Sequence, residues 1–311
     1  MKHFLGIGAI DDIHSWIREA RDLKKDPAAF YDLGKNKTLG LLFFNNSLRT
    51  RMSTQKAAFN LGLNVLVMNV GQDGWSLEFE DNVIMNGESA EHIKEAAGVL
   101  GQYCDLIGVR AFAGLEDKEQ DEKDRILNAL ATYCGVPVIN MEGTLGHPLQ
   151  ALADAITIAE HKIVERPKVV LSWAPHPRAL PHAVPHSFIR MTHQIDADLV
   201  ITHPEGYELD PRVTQNTAIE YDQEKALEGA DFVYVKNWSS YTQYGKILSQ
   251  DSNWMMTREK LSAAYFMHCL PLRRNVVASG EVLEGNRSLV MQQANNRTYA
   301  VQLVLKKLLG S

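Results

Sequence analysis

The fold is indicated first by residues 39–51, which read LGLLFFNNSLRTR. The apolar run Leu39–Phe44 predicts a buried strand, and the two asparagines after it predict a turn. Ser47 then stands where a helix N-cap is expected, with free backbone N–H groups pointing outward at the start of a helix. Arg49 and Arg51 add permanently charged side chains, which suit an anion such as phosphate. An ordinary capped helix with two solvated arginines explains the same residues equally well.

The composition excludes several classes of protein. A chain of 311 residues, 45% of them hydrophobic, is long enough for two α/β domains. No apolar run approaches the ~20 residues that cross a bilayer, and no signal-peptide pattern follows Met1, so a cytoplasmic location is expected. Cys104, Cys134 and Cys269 lack CxxC spacing, which argues against a disulfide framework or a zinc site. The net charge of −6 gives no support to nucleic-acid binding.

Short, nearly all-apolar runs alternate with helical patterns along the whole chain. This alternation is typical of parallel sheets whose two faces are covered by helices. The predicted fold is therefore α/β, with two doubly wound parallel-sheet domains joined by helices. The strand candidates are Thr38–Phe44, Asn64–Val70, Leu106–Arg110, Val136–Asn140, Lys168–Trp173, Asp198–His203, Asp231–Val235 and Ala264–His268.

Two helical stripes set the domain boundaries. Residues 149–161 predict a helix that leads into a second half, and residues 297–309 predict a terminal helix with one apolar face. We expect a first domain at residues 1–147 and a second at residues 148–289. The helix at about 290–311 is expected to pack back on the first domain.

Residues 175–185, PHPRALPHAVP, hold four of the 11 prolines. Proline lacks an N–H and fixes φ, so the segment is predicted to be neither regular helix nor central strand. A stiff linker is one interpretation. The polar residues His176, Arg178 and His182, which follow a strand end, favour a rigid binding loop.

Polar groups follow several predicted strand ends, where ligands of doubly wound sheets bind. Arg110 ends one strand, and Glu142 and the sequence HPLQ (147–150) follow another. The sequence HCLPLRR (268–274) follows a third. Each group alone is weak, because a lone histidine or arginine pair is more often structural or solvated. Their joint placement favours a site for an anion or an activated carbonyl.

Three motifs together resemble the transcarbamylase family, the aspartate/ornithine carbamoyltransferases. They are SLRTR (47–51), HPLQ (147–150) and HCLP (268–271), and they occur in the family's order and spacing. The resemblance spans the chain. It implies an enzyme that binds carbamoyl phosphate in its first domain and an amine-bearing amino acid in its second, that assembles as a homotrimer or multiples of one, and that requires no metal or cofactor.

The resemblance also implies roles for single residues. Thr50, Arg110 and His147 would donate to the carbamoyl oxygen as it becomes an oxyanion, which fits the chemistry. Trp75 would reach the active site of the adjacent subunit. Cys269 would act through its backbone oxygen rather than as a nucleophile. The implied carbamoyl phosphate site consists of Ser47, Leu48, Arg49, Thr50, Trp75, Arg110, His147, Gln150, Cys269, Leu270 and Arg297.

The acceptor is implied by other positions. The sequence KNW (236–238) and the proline-rich segment resemble the branch of the family that acts on N-acylated ornithine, a branch with a trefoil knot in the second domain. Cationic groups suit the acceptor carboxylate, and a carboxylate suits its δ-amine. The implied acceptor site consists of Glu142, His176, Lys236, Arg273 and Ala90.

Two positions distinguish succinyl from acetyl acceptors. In the family, N-acetylornithine enzymes have a glutamate where Ala90 stands, and a carboxylate there would repel a succinyl group. They also have a lysine where Val277 stands. Both positions favour N-succinylornithine, with N-acetylornithine as the alternative.

The alternative of another class is a non-catalytic phosphate-sensing α/β protein. The chain contains no GxGxxG or GxxxxGK[ST] after a predicted strand, which weakens the case for nucleotide binding.

Overall fold

The apolar runs of the sequence form two parallel sheets in the computed structural model, which describes residues 1–310. All eight predicted strands are present, with ends that shift by up to two residues. The strands are β1 (Thr38–Phe43), β2 (Asn64–Asn69), β3 (Leu77–Glu78), β4 (Glu91–His92), β5 (Leu106–Arg110), β6 (Val138–Glu142), β7 (Lys168–Trp173), β8 (Asp198–Thr202), β9 (Ala218–Glu220), β10 (Phe232–Lys236) and β11 (Tyr265–Met267).

Helices connect these strands. None of the helices in residues 1–310 is long and apolar enough to cross a membrane. Short 3-10 turns occur at Ile7–Ala9, Tyr31–Gly34 and Ser252–Trp254. The α-helices are α1 (Ile13–Lys25), α2 (Leu48–Asn60), α3 (Ile93–Tyr103), α4 (Lys118–Glu122), α5 (Arg125–Tyr133), α6 (Pro148–His161), α7 (Ala183–Thr192), α8 (Pro211–Thr214), α9 (Gln223–Leu227), α10 (Arg258–Leu261), α11 (Gly280–Glu284) and α12 (Val290–Leu309).

The chain divides into two compact units, neither of which is continuous in sequence. The first comprises residues 1–114, 119–149 and the chain from Arg297 onward. The second comprises residues 115–118 and 150–296. Helix α12 therefore contributes its last three turns to the first unit, where Val301, Leu303 and Val304 are fully buried.

The first unit contains a four-stranded parallel sheet in the order β2-β1-β5-β6. The order reverses between β1 and β5, and ligands of doubly wound sheets bind at such switch points. Phe43 at the end of β1 pairs with Arg110 at the end of β5. The backbone N–H of Phe112, after β5, also donates to Asn45 Oδ1, after β1, at 3.0 Å. The segments that carry the SLRTR motif and Arg110 therefore lie side by side.

The second unit contains a five-stranded parallel sheet in the order β11-β10-β7-β8-β9. Its order reverses between β7 and β10, where Trp173 pairs with Lys236. Successive residues of β7 point to opposite faces, as strand geometry requires. Val169 and Leu171 join one buried apolar cluster, while Val170 joins another. Both faces of the sheet are therefore covered, as predicted for nearly all-apolar strands.

The structure corrects the sequence prediction in four places. Strand β6 begins at Val138, two residues later than predicted. Helix α12 begins at Val290, in agreement with the expected helix at about 290–311, although its apolar stripe is recognisable only from residue 297. The edge strand β9 and the small β3–β4 pair were not predicted. The proline-rich segment is not wholly irregular, because its last residues, including Pro185, form the first turn of α7, where the missing N–H costs no helical hydrogen bond.

Candidate active site

Helix α2 begins beside the switch point of the first sheet, as the sequence predicted. Ser47 is extended and caps the helix, because its Oγ accepts a hydrogen bond from the Thr50 N–H at 3.2 Å. The remaining first-turn N–H groups and the positive end of the helix dipole suit an anion. The Leu48 side chain is 73% exposed, so this residue offers its backbone rather than its side chain.

Thr50 is the residue on which two arginines of the first unit converge. Its hydroxyl is fully buried and accepts hydrogen bonds from Arg297 Nη2 at 2.9 Å and from Arg110 Nη1 at 3.2 Å. A hydroxyl oxygen has two lone pairs, and both are occupied here. The Thr50 O–H therefore remains as a donor, next to two guanidinium groups, which is a strongly anion-selective arrangement.

Glu142 at the end of β6 holds two of the predicted catalytic groups. Its Oε2 accepts a short hydrogen bond from Arg110 Nη1 and lies 3.6 Å from His147 Nε2. His147, 3% exposed, directly precedes α6. The carboxylate therefore orients Arg110 through a hydrogen bond and lies beside His147, and part of its hydrogen-bonding capacity is used within the protein.

Arg51 does not join this cluster. Its guanidinium donates to Asn69 Oδ1 at the end of β2 and lies over the Phe43 ring, 4.8 Å from its centroid. The suggestion that both arginines of the SLRTR motif face one anion is therefore not supported for Arg51.

A lysine lies at the switch point of the second unit's sheet. Lys236 ends β10 and is only 9% exposed, yet within residues 1–310 its ammonium group makes no hydrogen bond or ion pair. The ammonium nitrogen itself is not fully buried, so a ligand can reach it. Such a group is stabilised when a ligand supplies an anion, so the site at the end of β10 is suited to a carboxylate.

His176 and Arg273 contact each other in the same unit. Arg273 Nε donates to His176 Nε2 at 3.2 Å. Burial lowers the pKa of His176, and the charges of Lys236 and Arg273 lower it further, although its hydrogen bond with the Arg178 carbonyl opposes them. The imidazole is therefore neutral at physiological pH and accepts the arginine N–H.

The HCLP motif follows β11 in a turn fixed by the histidine. His268 is 1% exposed, and its Nδ1 accepts a hydrogen bond from the Leu270 N–H at 2.8 Å. Leu270 has a positive φ of 54° and precedes a cis proline. Cys269 and Leu270 are partly exposed.

Gln150, in the first turn of α6, is 1% exposed and donates through Nε2 to Asp154 Oδ1 at 2.7 Å. The sequence prediction missed Asp154, which is fully buried. A carboxylate four residues after a glutamine faces the same side of a helix, and this spacing is the signal that could have found it.

Trp75 and Ala90 lie in the first unit on neighbouring backbone segments, both exposed. The Ala90 N–H donates to the Ser76 carbonyl at 3.1 Å, and Trp75 Nε1 donates to Glu91 Oε2 at 2.9 Å. Trp75 is 59% exposed and forms part of the wall of an apolar cavity of about 230 Å³. The structure does not bring either residue to the Thr50 cluster by any hydrogen bond within residues 1–310.

Comparison with known proteins identifies the family. Residues 2–160 match the carbamoyl-P binding domain of aspartate/ornithine carbamoyltransferases, and residues 182–308 match their Asp/Orn binding domain. The chain belongs to the aspartate/ornithine carbamoyltransferase family. It is a carbamoyltransferase, which disfavours the alternative of a non-catalytic phosphate sensor.

Relatives of this carbamoyltransferase include the N-succinylornithine carbamoyltransferase of Bacteroides fragilis, 51% identical over 99% of both chains. The N-acetylornithine carbamoyltransferase of Xanthomonas campestris is 36% identical, over 100% of this chain and 98% of the relative. A crystal structure of N-acetyl-L-ornithine transcarbamylase with one glutamate replaced by alanine, complexed with carbamyl phosphate and N-succinyl-L-norvaline, is 34% identical. Its TM-score is 0.93, over 99% of this chain and 100% of that one.

Proposed function

We propose that this carbamoyltransferase transfers the carbamoyl group of carbamoyl phosphate to the δ-amine of N2-succinyl-L-ornithine. The products are N2-succinyl-L-citrulline and phosphate, and the reaction is a step of arginine biosynthesis. The observation that carries the proposal is the 51% identity, over 99% of both chains, to a relative named for this activity. The N-acetylornithine enzymes are more distant, at 36%.

In this proposal the first unit binds the phosphate. Ser47, the backbone N–H groups of Leu48 and Arg49, and the side chains of Thr50 and Arg297 surround it. The capped helix and the two arginines on Thr50 support this assignment. A phosphate dianion needs several charged or N–H donors, and this part of the chain supplies them.

Thr50, Arg110 and His147 are proposed to stabilise the carbamoyl oxygen. As the amine attacks, this oxygen gains negative charge in the tetrahedral intermediate, so donors fixed in advance lower the barrier. The contacts of Glu142 with Arg110 and His147 support the role, because they place its carboxylate against two of the three donors. Gln150 and the carbonyl oxygens of Cys269 and Leu270 are proposed to accept from the carbamoyl NH₂.

The nucleophile is the neutral δ-amine, and no covalent enzyme intermediate is needed. Attack forms the C–N bond, collapse of the intermediate breaks the C–O bond to phosphate, and the leaving phosphate takes up the amine proton. Most of the acceleration then comes from orientation and electrostatics.

The acceptor is proposed to bind through His176, Lys236 and Arg273 on its carboxylate and acyl groups, and through Glu142 on its amine. The Lys236 ammonium, which makes no hydrogen bond or ion pair within residues 1–310, supports the carboxylate assignment. Ala90 is proposed to occupy the position at which N-acetylornithine enzymes have a glutamate. The glutamate-to-alanine variant of such an enzyme, complexed with a succinyl compound, supports this step.

Val277, which is fully buried, is proposed to occupy the position at which N-acetylornithine enzymes have a lysine. The chain would therefore lack a second group that is specific to the acetyl enzymes.

We also propose that the chain forms a homotrimer in which Trp75 completes the neighbouring active site, and that the second domain carries a trefoil knot near the proline-rich segment.

The test compares acceptors side by side. With saturating carbamoyl phosphate, we expect phosphate release with N-succinylornithine to exceed that with N-acetylornithine at least tenfold in kcat/KM, since the acyl pocket discriminates by one charged group. Ornithine without an acyl group is the matched control and should be a poor substrate. A preference for N-acetylornithine would favour the alternative acceptor.

A further inference from the structure

Asp154 is a buried carboxylate at the centre of the second unit's polar core. It lies in α6, is 0% exposed, and its Oδ1 accepts hydrogen bonds from Gln150 Nε2 at 2.7 Å and Gln293 Nε2 at 2.8 Å. Placing a carboxylate inside a protein is expensive even when it is hydrogen-bonded. An amide or an apolar side chain would fill the same space at lower cost, so the buried carboxyl group calls for a functional explanation.

The first consequence concerns the orientation of Gln150. Both amide nitrogens, Gln150 Nε2 and Gln293 Nε2, donate to Asp154 Oδ1, so the oxygen of the Gln150 amide faces away from the carboxyl group. That oxygen, Oε1, is buried and accepts no hydrogen bond within residues 1–310. Asp154 therefore presents Gln150 as a fixed acceptor, which matches a ligand N–H and mismatches a ligand oxygen or methyl group.

The second consequence concerns the orientation of Gln293, which lies in α12. Because Gln293 Nε2 is committed to Asp154, its Oε1 is fixed on the other side, where it accepts a hydrogen bond from the His268 N–H at 2.8 Å. His268 in turn accepts from the Leu270 N–H through Nδ1. One carboxylate thus orients both Gln150 and the turn that carries the carbonyl groups of Cys269 and Leu270.

Tyr234 supports this arrangement from β10. Its phenol is completely buried, and burial together with the nearby Asp154 and Cys269 raises its pKa well above the usual value. The tyrosine therefore remains neutral and places no second negative charge beside the carboxylate.

We propose that Asp154 is a positioning residue that makes the enzyme select a carbamoyl NH₂ group over an isosteric methyl group. It acts through Gln150 on one side and through Gln293 and the His268 turn on the other, so that only acceptors face the NH₂. The inference rests on the proposed function, since it assumes carbamoyl phosphate as the donor. It adds to that function the residue that sets the selectivity.

Acetyl phosphate tests this proposal, because it carries the same phosphate and a methyl group in place of the NH₂. Dissociation constants of carbamoyl phosphate and acetyl phosphate are measured for wild type and Asp154→Leu, with thermal unfolding as the check of folding. We expect the preference for carbamoyl phosphate to fall about fivefold or more in Asp154→Leu, the worth of one or more hydrogen bonds. Binding of inorganic phosphate should not change, since the first unit provides its ligands.

Three further variants complete the experiment. Gln293→Met should reduce the same preference while leaving Asp154 in place, and it decides the question if Asp154→Leu does not fold. Asp154→Asn keeps an acceptor oxygen and should recover much of the preference. Thr157→Val is the matched control, because Thr157 is also buried in α6 and accepts from Asn296 of α12 at 3.0 Å without leading to the His268 turn. It should keep the wild-type preference.

An unchanged preference in folded Asp154→Leu and Gln293→Met would overturn the proposal, as would an equal loss in Thr157→Val. The binding comparison needs no acceptor. Failure of wild type to turn over N-succinylornithine would therefore contradict the proposed function. It would not affect the comparison of carbamoyl phosphate with acetyl phosphate, which tests the role of Asp154.

Discussion

At the scale of single residues, the candidate site is defined by the atoms that the protein leaves for a ligand. Thr50 has both lone pairs occupied by arginines and keeps a donor. Gln150 has its nitrogen occupied by a carboxylate and keeps an acceptor. In the proposed reaction a donor suits the carbamoyl oxygen and an acceptor suits the carbamoyl NH₂.

Ala90→Glu should shift the acceptor preference toward N-acetylornithine. A glutamate would place a negative charge against the succinyl carboxylate, so we expect kcat/KM for N-succinylornithine to fall about tenfold or more, with a smaller change for N-acetylornithine. Initial rates with both acceptors measure the shift. Ala90→Gln is the control, because it adds nearly the same volume without charge. Equal losses in both variants would show that size rather than charge discriminates.

His186 predicts a pH-dependent stability. Burial, followed by the nearby His182 and Arg190, lowers its pKa to about 3. The unfolded chain therefore takes up a proton between pH 6.5 and 3 that the folded protein does not. The contribution of His186 to the free energy of unfolding is therefore complete above pH 6.5. It declines as pH falls, by at most about 1.4 kcal/mol per pH unit.

The measurement is the midpoint of thermal unfolding at pH 7.5 and pH 5.5. His186 Nε2 is buried and makes no hydrogen bond within residues 1–310, and the His186 ring stacks on His182, so His186→Phe preserves the packing. We expect the thermal unfolding midpoint to fall further between pH 7.5 and pH 5.5 in wild type than in His186→Phe. Parallel losses in the two proteins would contradict the assignment.

At the scale of elements, α3 offers a matched pair of glycines. A Cβ at Gly101 would lie 1.8 Å from the Cys134 carbonyl oxygen at the end of α5, whereas a Cβ at Gly98 meets nothing within 4 Å. Gly98→Ala should stabilise the protein by about 0.5–1 kcal/mol through helix propensity. Gly101→Ala should destabilise it by several times that amount, because a backbone clash forces the helices apart. Urea unfolding of both variants checks the opposite signs.

The elements also show what the sequence could predict. Buried strands such as Lys168–Trp173 are nearly all apolar, so composition alone found them. Strand β9, Ala218–Glu220, is short and largely exposed at a sheet edge, and its pairing comes from its neighbour rather than from its own residues. Helix α12 extends beyond the apolar stripe at residues 297–309, since its first turns bury polar residues such as Gln293.

At the scale of the whole molecule, the site residues that sequence reasoning found were those in motifs with known relatives. Arg297 lies beside Thr50, 247 positions away in the chain, and only the resemblance assigned both residues to the same predicted site. Asp154 lies on a buried helix face, and its spacing from Gln150 is the only sequence signal for it. Its second amide, Gln293, lies 139 positions away and is brought to it by tertiary packing.

The proposed trimer predicts complementation between inactive variants. Trp75→Ala should impair the neighbouring site, and Arg297→Ala should impair its own phosphate binding. In mixed trimers a site with both residues intact can form, so equal coexpression should restore roughly a quarter of wild-type activity by random assembly. Specific activity of the purified mixture measures this. Activity no higher than the mean of the two parents would argue against shared sites.

The discontinuity of the first unit has a consequence for biosynthesis. On a ribosome the chain emerges in order, so β1, α2 and β6 appear long before Arg297, and nearly all of the second unit appears in between. The buried face of α12 and the second arginine on Thr50 both arrive last. Until then the nascent first unit has an open apolar surface and an incomplete anion site. The proposed phosphate site is therefore complete only after Arg297 has been synthesised, and the open apolar surface exposes the nascent chain to aggregation until then.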